Sequence, residues 1–188
     1  MPKAAQHRDK LLQTAVRLLR QQGYANTGIA ELLEKSGAPK GSLYHYFPGG
    51  KEEIGMAALE AAGHQVSQTL QHLLERTNTG SEFLRAYIAE IRHWLSASGF
   101  KDGCPIATTL LETLPHSDNM QTCLERVIDD WLALISDAYL RDGVSAAVAR
   151  RHAVFVFSAI EGALIVSRVK RNTDALDAVA IKLAEVKS

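Results

Sequence analysis

Lys40-Gly41-Ser42-Leu43-Tyr44-His45-Tyr46-Phe47 concentrates groups that could recognise another molecule, and their spacing suits a nucleic-acid groove. At about 100° per residue, Leu43 and Phe47 share one face of a short helix while Gly41, Ser42 and His45 point the other way. Gly41 has no side chain to hold the backbone off DNA. Lys40 sits in the first turn, within reach of a phosphate or a guanine edge. Tyr44, Tyr46 and Lys51 flank that surface and can hydrogen-bond phosphate oxygens, and helix starts at Thr27 and Gly50-Lys51 add backbone N–H donors. Each residue also has a plain structural reading: the tyrosines as packing groups, His45 as a solvated side chain, Lys51 as a first-turn cation.

Other groupings fall short of catalysis. A di-iron carboxylate centre in a helical bundle needs Glu-x-x-His on two helices plus two further Glu. Glu90-Ile91-Arg92-His93 supplies one copy, and no second appears. Glu60, His64, Gln68 and His72 recur at i+4, a stripe that reads as a solvated face because no HExxH and no nearby Cys accompany it. There is no G-x-S-x-G, no P-loop and no dinucleotide fingerprint, so neither an enzyme, a cofactor nor a metal is expected. Cys104 and Cys123 form no CxxC and no Cys/His cluster, which argues against a zinc module and a disulfide framework. Cys104, opening a helix after Gly103, leaves two readings open: a redox-sensing thiol or a small packed residue. A helical ligand- or redox-sensing protein and a helical-bundle metal enzyme are therefore the alternatives to DNA binding, separable by gel-shift and catalytic assays.

These residues need elements to hold them, and nearly every segment of the 188-residue chain reads with helical period. Helices are expected over about 4–22, 28–35 and 39–46, the last too short to survive alone and docked through Leu43 and Phe47. Thr27 is the expected N-cap of the second helix, and Pro39 the first residue of the third. Longer helices follow over about 51–75, 81–96, 106–114 (stopped by Pro115), 118–141, 145–171 and 173–186. The fold class is all-α with about nine helices: a three-helix, helix-turn-helix head over 1–51 and a helical body over 52–188. Composition supports a folded chain, with 46% apolar residues and no net charge. The charge is uneven: residues 1–51 carry eight Lys/Arg against three acids, net +5, and the remainder is net −5. A basic head on an acidic body suits a polyanion-binding module joined to a different domain, or simply two solvated faces of unlike charge. No window approaches 18 uninterrupted apolar residues and no apolar signal segment follows the N-terminal charges, so a soluble cytoplasmic protein with no membrane partner is expected.

Gly23-Tyr24-Ala25-Asn26-Thr27-Gly28, then Ser36-Gly37-Ala38-Pro39-Lys40-Gly41-Ser42-Leu43-Tyr44-His45-Tyr46-Phe47-Pro48, then Gly49-Gly50-Lys51-Glu52-Glu53, resembles the DNA-binding domain of the TetR family of transcriptional regulators. Ala-Pro-Lys-Gly-Ser, the double glycine before Lys51, and Gly103-Cys104-Pro105-Ile106 are similar to the LmrA/YxaF-like subgroup. The resemblance assigns Thr27, Lys40, Gly41, Tyr44, His45, Tyr46 and Lys51 to DNA contact. It departs from the common pattern at Ala38 and Pro39, where a hydroxyl residue is usual, and the extra glycine moves Lys51 by one place. It implies a one-component regulator, most simply a repressor that binds a palindromic double-stranded operator as a homodimer and leaves it when a small apolar or aromatic effector binds.

The body carries the other expected sites. Aromatic and sulfur residues on its helices, with interspersed polar groups (His93, Glu112, His116, Glu161), suit an apolar cavity with a few orienting contacts, or an ordinary core. The candidate effector residues are Tyr87, Trp94, Cys104, Met120, Trp131, Phe155 and Glu161. The helix containing Ala153–Val166 is apolar nearly all round, so it is expected to be buried on more than one side. Its small residues Ser158, Ala159, Gly162 and Ala163 allow close helix approach. With Leu176, Val179 and Leu183 of the last helix they form the candidate dimer surface, and the resemblance implies that both helices pair with their copies.

Overall fold

A computed structural model describes residues 3–113 and 117–185. Among the described residues the chain forms nine α-helices and no strand: α1 Lys3–Gln22, α2 Ile29–Ser36, α3 Ser42–Tyr46, α4 Gly50–Arg76, α5 Gly80–Ala97, α6 Pro105–Thr113, α7 Asp118–Leu140, α8 Ala146–Lys170 and α9 Asp174–Glu185. The all-α expectation holds. Pro115 as a helix stop, His116 as a cavity group and Val186 as a last helical residue lie outside the described residues.

Local chemistry explains most boundaries. Gly37 ends α2 with φ +64°, a left-handed conformation that suits glycine, and its N–H donates to Glu34 O. Thr79 caps α5 by accepting from Glu82 N at 3.2 Å, while Glu82 reaches back to accept from Asn78 N at 2.9 Å, a variant of the capping box. Ser145 caps α8 through Val148 N.

Two expectations in the head are corrected. α3 starts at Ser42, not Pro39, because Pro39-Lys40-Gly41 form a turn in which Ser42 N donates to Pro39 O at 2.9 Å. Proline's fixed φ suits a turn as well as a first helical turn. Thr27 is not the N-cap of α2: Gly28 is, with extended backbone and no side-chain cap, and the Thr27 hydroxyl turns inward to donate to Gly23 O at 2.6 Å.

The chain divides into two compact units, each discontinuous: Met1–His64 with Pro105–Val127, and Gln65–Cys104 with Ile128–Ser188. α4 runs unbroken through the boundary expected after residue 51. In the first unit α1 packs against α2, α3 and α6. Leu11, Ala15, Leu18 and Leu19 of α1 are buried, as are Leu32, Leu43, Phe47, Ile54 and Leu59. In the second, α9 packs on α5 and α8, and Phe83, Ile88, Trp131, Ile135, Val156, Ile160 and Leu176 are buried. By length and composition α8 is the one helix among the described residues that could cross a membrane. One face of it (Ala149, Ala153, Val156, Ile160, Ala163, Ser167) is packed inside the chain.

Candidate functional site

In the head, apolar contacts one turn apart hold α3. Leu43 and Phe47 are fully buried, and the Arg8 guanidinium lies over the Phe47 ring, 5.5 Å from its centroid. That anchoring leaves Lys40, Gly41, Tyr44 and His45 exposed, and Tyr44 is 57% accessible. Ser42 and Tyr46 are part-buried. The Ser42 hydroxyl donates to Pro39 O, and Tyr46 meets the His45 ring edge-on at 4.8 Å. A Cβ at Gly41 would meet nothing within 4 Å, so the glycine is open to an approaching surface.

Thr27 and Lys51 differ from this group. Thr27 is buried with its hydroxyl already engaged. Lys51 Nζ donates to Ala25 O at 3.1 Å and stands 4.7 Å from the centre of the Tyr24 ring. An ammonium has three protons, so this carbonyl leaves two for a phosphate.

In the second unit, Tyr87, Cys104 and Glu161 come together. Burial lifts the Glu161 carboxyl above its ordinary range, and the hydrogen bond with the Cys104 thiol pulls it partway back. Burial also pushes the Tyr87 phenol up, with further upward pressure from Glu161 and Cys104. The loop before Cys104 is held to α8 because Arg168 donates to Lys101 O at 3.0 Å. A Cβ at Gly103 would stand 2.6 Å from Arg168 Nη1, so the guanidinium lies close against the backbone beside Cys104.

The other expected effector residues do not join that cluster as one set. Trp131 is buried and meets Phe157 edge-on at 6.0 Å. Trp94 is exposed at the surface of α5. Phe155 is also exposed and lines a groove with Tyr139, Arg151, His152, Val156 and Leu183. Met120 is buried in the first unit, beside Tyr24 and Gly55. Among the polar groups expected in a cavity, His93 is exposed, and Glu112 lies in the first unit, where it accepts from Ala25 N. Of the i+4 stripe on α4, Glu60 pairs with Arg126 at 3.3 Å and His72 accepts from Arg76 at 3.2 Å.

The expected dimer residues divide by which side of their helices they occupy. Ala163, Leu176 and Leu183 are buried inside the chain and serve its own core. Ala159 and Val179 are part-buried, whereas Ser158 and Gly162 are exposed. The exposed apolar residues that composition alone did not separate from the core are Val154, Phe155, Ile165, Val166 and Val169 on α8, and Ile181 on α9. With Ser158 and Gly162 the α8 group repeats every three to four residues, which makes one continuous stripe. The period was legible in the sequence; which of two apolar faces looked outward was not.

Comparison with known proteins agrees with both halves of this architecture. Residues 11–58 match the family described as bacterial regulatory proteins, tetR family, and residues 81–182 match the transcriptional regulator LmrA/YxaF-like C-terminal domain. The chain is 34% identical over 177 residues to the HTH-type transcriptional regulator Rv0196 of Mycobacterium tuberculosis (strain ATCC 25618 / H37Rv), covering 92% of this chain and 89% of that one. It is 29% identical to the HTH-type transcriptional regulator LmrA of Bacillus subtilis (strain 168), covering 90% of each. Among solved structures, the reduced form of Escherichia coli NemR superposes with a TM-score of 0.84 at 27% identity, covering 97% of this chain and 98% of that one. The exposed α3 surface, the basic head and these matches converge: the chain belongs to the TetR family of bacterial transcriptional regulators and carries an LmrA/YxaF-like C-terminal domain.

Proposed function

We propose that the protein is a repressor that binds a palindromic operator as a homodimer in the cytoplasm and is released by a small apolar or aromatic effector. The observation that carries this reading is the face of α3, where Lys40, Gly41, Tyr44 and His45 are exposed over a helix pinned by Leu43 and Phe47. A short, anchored helix entered through an open glycine, with a cation in the turn just before it, is what major-groove entry needs. Relatives named as HTH-type transcriptional repressors, NemR and DhaR, support repression as the sign of regulation. The α8 stripe supports dimerisation through self-complementary faces, which would present two α3 helices to half-sites about one helical turn apart. Tyr87, Cys104 and Glu161 are the best-supported part of the effector site, because a buried phenol meets a part-buried thiol and carboxyl able to orient a ligand.

Selection of bound sequences from random duplexes by the purified full-length protein tests this. An inverted repeat with half-sites about one turn apart is the expected product. Recovery of no sequence above background, or of a single unrepeated site, would remove the dimeric-repressor reading.

A further inference from the structure

The turn between α1 and α2 satisfies most of its own backbone groups. Gly23 N donates to Leu19 O at 3.2 Å and Thr27 N to Tyr24 O at 3.1 Å. Gln22 and Asn26 exchange side-chain bonds with each other's carbonyls at 2.8 and 3.0 Å. Ala25 is different, because both its backbone groups are taken from outside the turn. Its N–H donates to Glu112 Oε2 of α6 at 2.8 Å, and its carbonyl accepts from Lys51 Nζ of α4 at 3.1 Å. A carboxylate and an ammonium thus hold one residue from opposite ends with charge-assisted bonds.

The carboxylate lies close against the turn: Gly23 has φ +79°, a conformation that favours glycine, and a Cβ there would stand 2.5 Å from Glu112 Oε1. One turn earlier on α6, the Thr108 hydroxyl lies 3.2 Å from both Leu19 O and Pro105 O and has one proton to share between them. Thr108 and Glu112 are four residues apart on one face, so α6 turns both side chains toward the end of α1 and the following turn. At its other end α6 begins immediately after Cys104, whose thiol is bonded to Glu161.

We propose that Glu112 is a positioning residue for operator binding: by clamping the Ala25 amide it holds the α1–α2 turn, and with it the helix-turn-helix, in the form that meets DNA. α6 then sets the head directly, in addition to any influence carried by α4. This inference rests on the operator-binding reading above.

The test uses the full-length protein and the operator recovered by selection, with wild-type binding measured first. Glu112→Ala removes the acceptor, Glu112→Gln keeps one, and Glu125→Gln removes an exposed carboxylate of the same unit without touching the turn. Glu112→Ala is expected to weaken operator binding about three- to tenfold, the scale of one net hydrogen bond at an exposed amide that water solvates once it is released. The dimer elution volume and the log–log salt slope should stay as in wild type, and the Ala25 amide should exchange faster with solvent. Glu112→Gln is expected to recover most of the affinity. Binding by Glu112→Ala within twofold of wild type, or unchanged Ala25 exchange, overturns the clamp. So does a common tightening of all three variants, which would mean that only negative charge was lost. A wild-type protein that binds no duplex refutes the operator reading itself, a result distinct from any pattern among the variants.

Discussion

Lys40 and Lys51 carry the same charge eleven positions apart, yet they are built into the head differently. Lys40 is exposed in the turn before α3, whereas Lys51 lies on Ala25 O and the Tyr24 ring. Lys40→Ala should therefore leave thermal stability within about 0.5 kcal/mol and alter base preference by ~1–3 kcal/mol, read by anisotropy against single-base operator variants. Lys51→Ala should weaken all duplexes by a similar factor. It should also lower stability on the order of 1 kcal/mol, because a hydrogen bond and a cation–π contact go with the charge. Equal melting temperatures for the two variants would contradict this division. Glu161 gives a pH signature instead. Burial raises its carboxyl pKa in the folded chain above the unfolded value. The folded state then holds the proton more tightly, so the stability linked to this group is present at low pH and is lost as pH rises through the raised pKa. Glu161→Gln should accordingly stabilise the protein at neutral pH, and the gain should vanish as pH falls below the ordinary glutamate range. A gain independent of pH in urea unfolding at several pH values would show that desolvated charge is not its cause.

α8 carries its information on two faces that the sequence presents as one apolar run. Gly162 is exposed and a Cβ there meets nothing within 4 Å, while its neighbour Ala163 is buried in the chain's own core. Gly162→Arg should leave the subunit folded, with helix propensity improved by up to ~1 kcal/mol, and convert dimers to monomers with lost operator affinity. Ala163→Arg should destabilise the subunit itself by forcing a charge into a packed site. Sizing chromatography and circular dichroism together separate the outcomes; an unchanged Gly162→Arg elution volume would move the dimer surface elsewhere. Periodicity made the nine helices among the described residues legible, because a buried stripe repeats whatever covers it. It did not distinguish Leu176 and Leu183, which fill the chain's own core, from exposed Ile181 on the same helix. α3 began three residues later than read because Pro39 fits a turn and a helix start equally well. Thr27 looked like a cap by residue type, but its hydroxyl found a nearer carbonyl in Gly23. Glu112 was visible as a carboxylate among apolar residues; its engagement with Ala25 depends on α6 packing against α1, a long-range pairing that local pattern does not encode.

The basic end of the chain is not a unit by itself in the folded protein. α6 and the first part of α7 belong with residues 1–64, and the chain passes between the two units within α4, between Cys104 and Pro105, and within α7. Charge is distributed by sequence, though, with a net +5 confined to residues 1–51 and a net −5 beyond. Long-range attraction to a polyanion is thus concentrated where α3 is exposed, and the acidic remainder disfavours DNA approaching from elsewhere. On the proposed operator-binding reading, three cations per subunit enter the duplex's counterion atmosphere: Lys40 in the turn before α3, Lys51 through its two remaining protons, and one from α1. Doubled in a dimer and multiplied by about 0.9, they give a log–log salt slope of about −5. Removing either lysine deletes two contacts per dimer, so Lys40→Ala and Lys51→Ala should each make the slope shallower by about 1.8. A charge change in the second unit, such as Asp129→Asn on α7, removes none of these cations and should leave the slope unaltered. Titrating operator binding between low and physiological salt for the wild type and these three variants measures all four slopes. If Lys51→Ala keeps the wild-type slope, the lysine acts only on Ala25 and Tyr24 and contacts no phosphate. If the wild type shows no salt dependence, the charge asymmetry has no part in recognition, and the repressor reading loses its electrostatic basis.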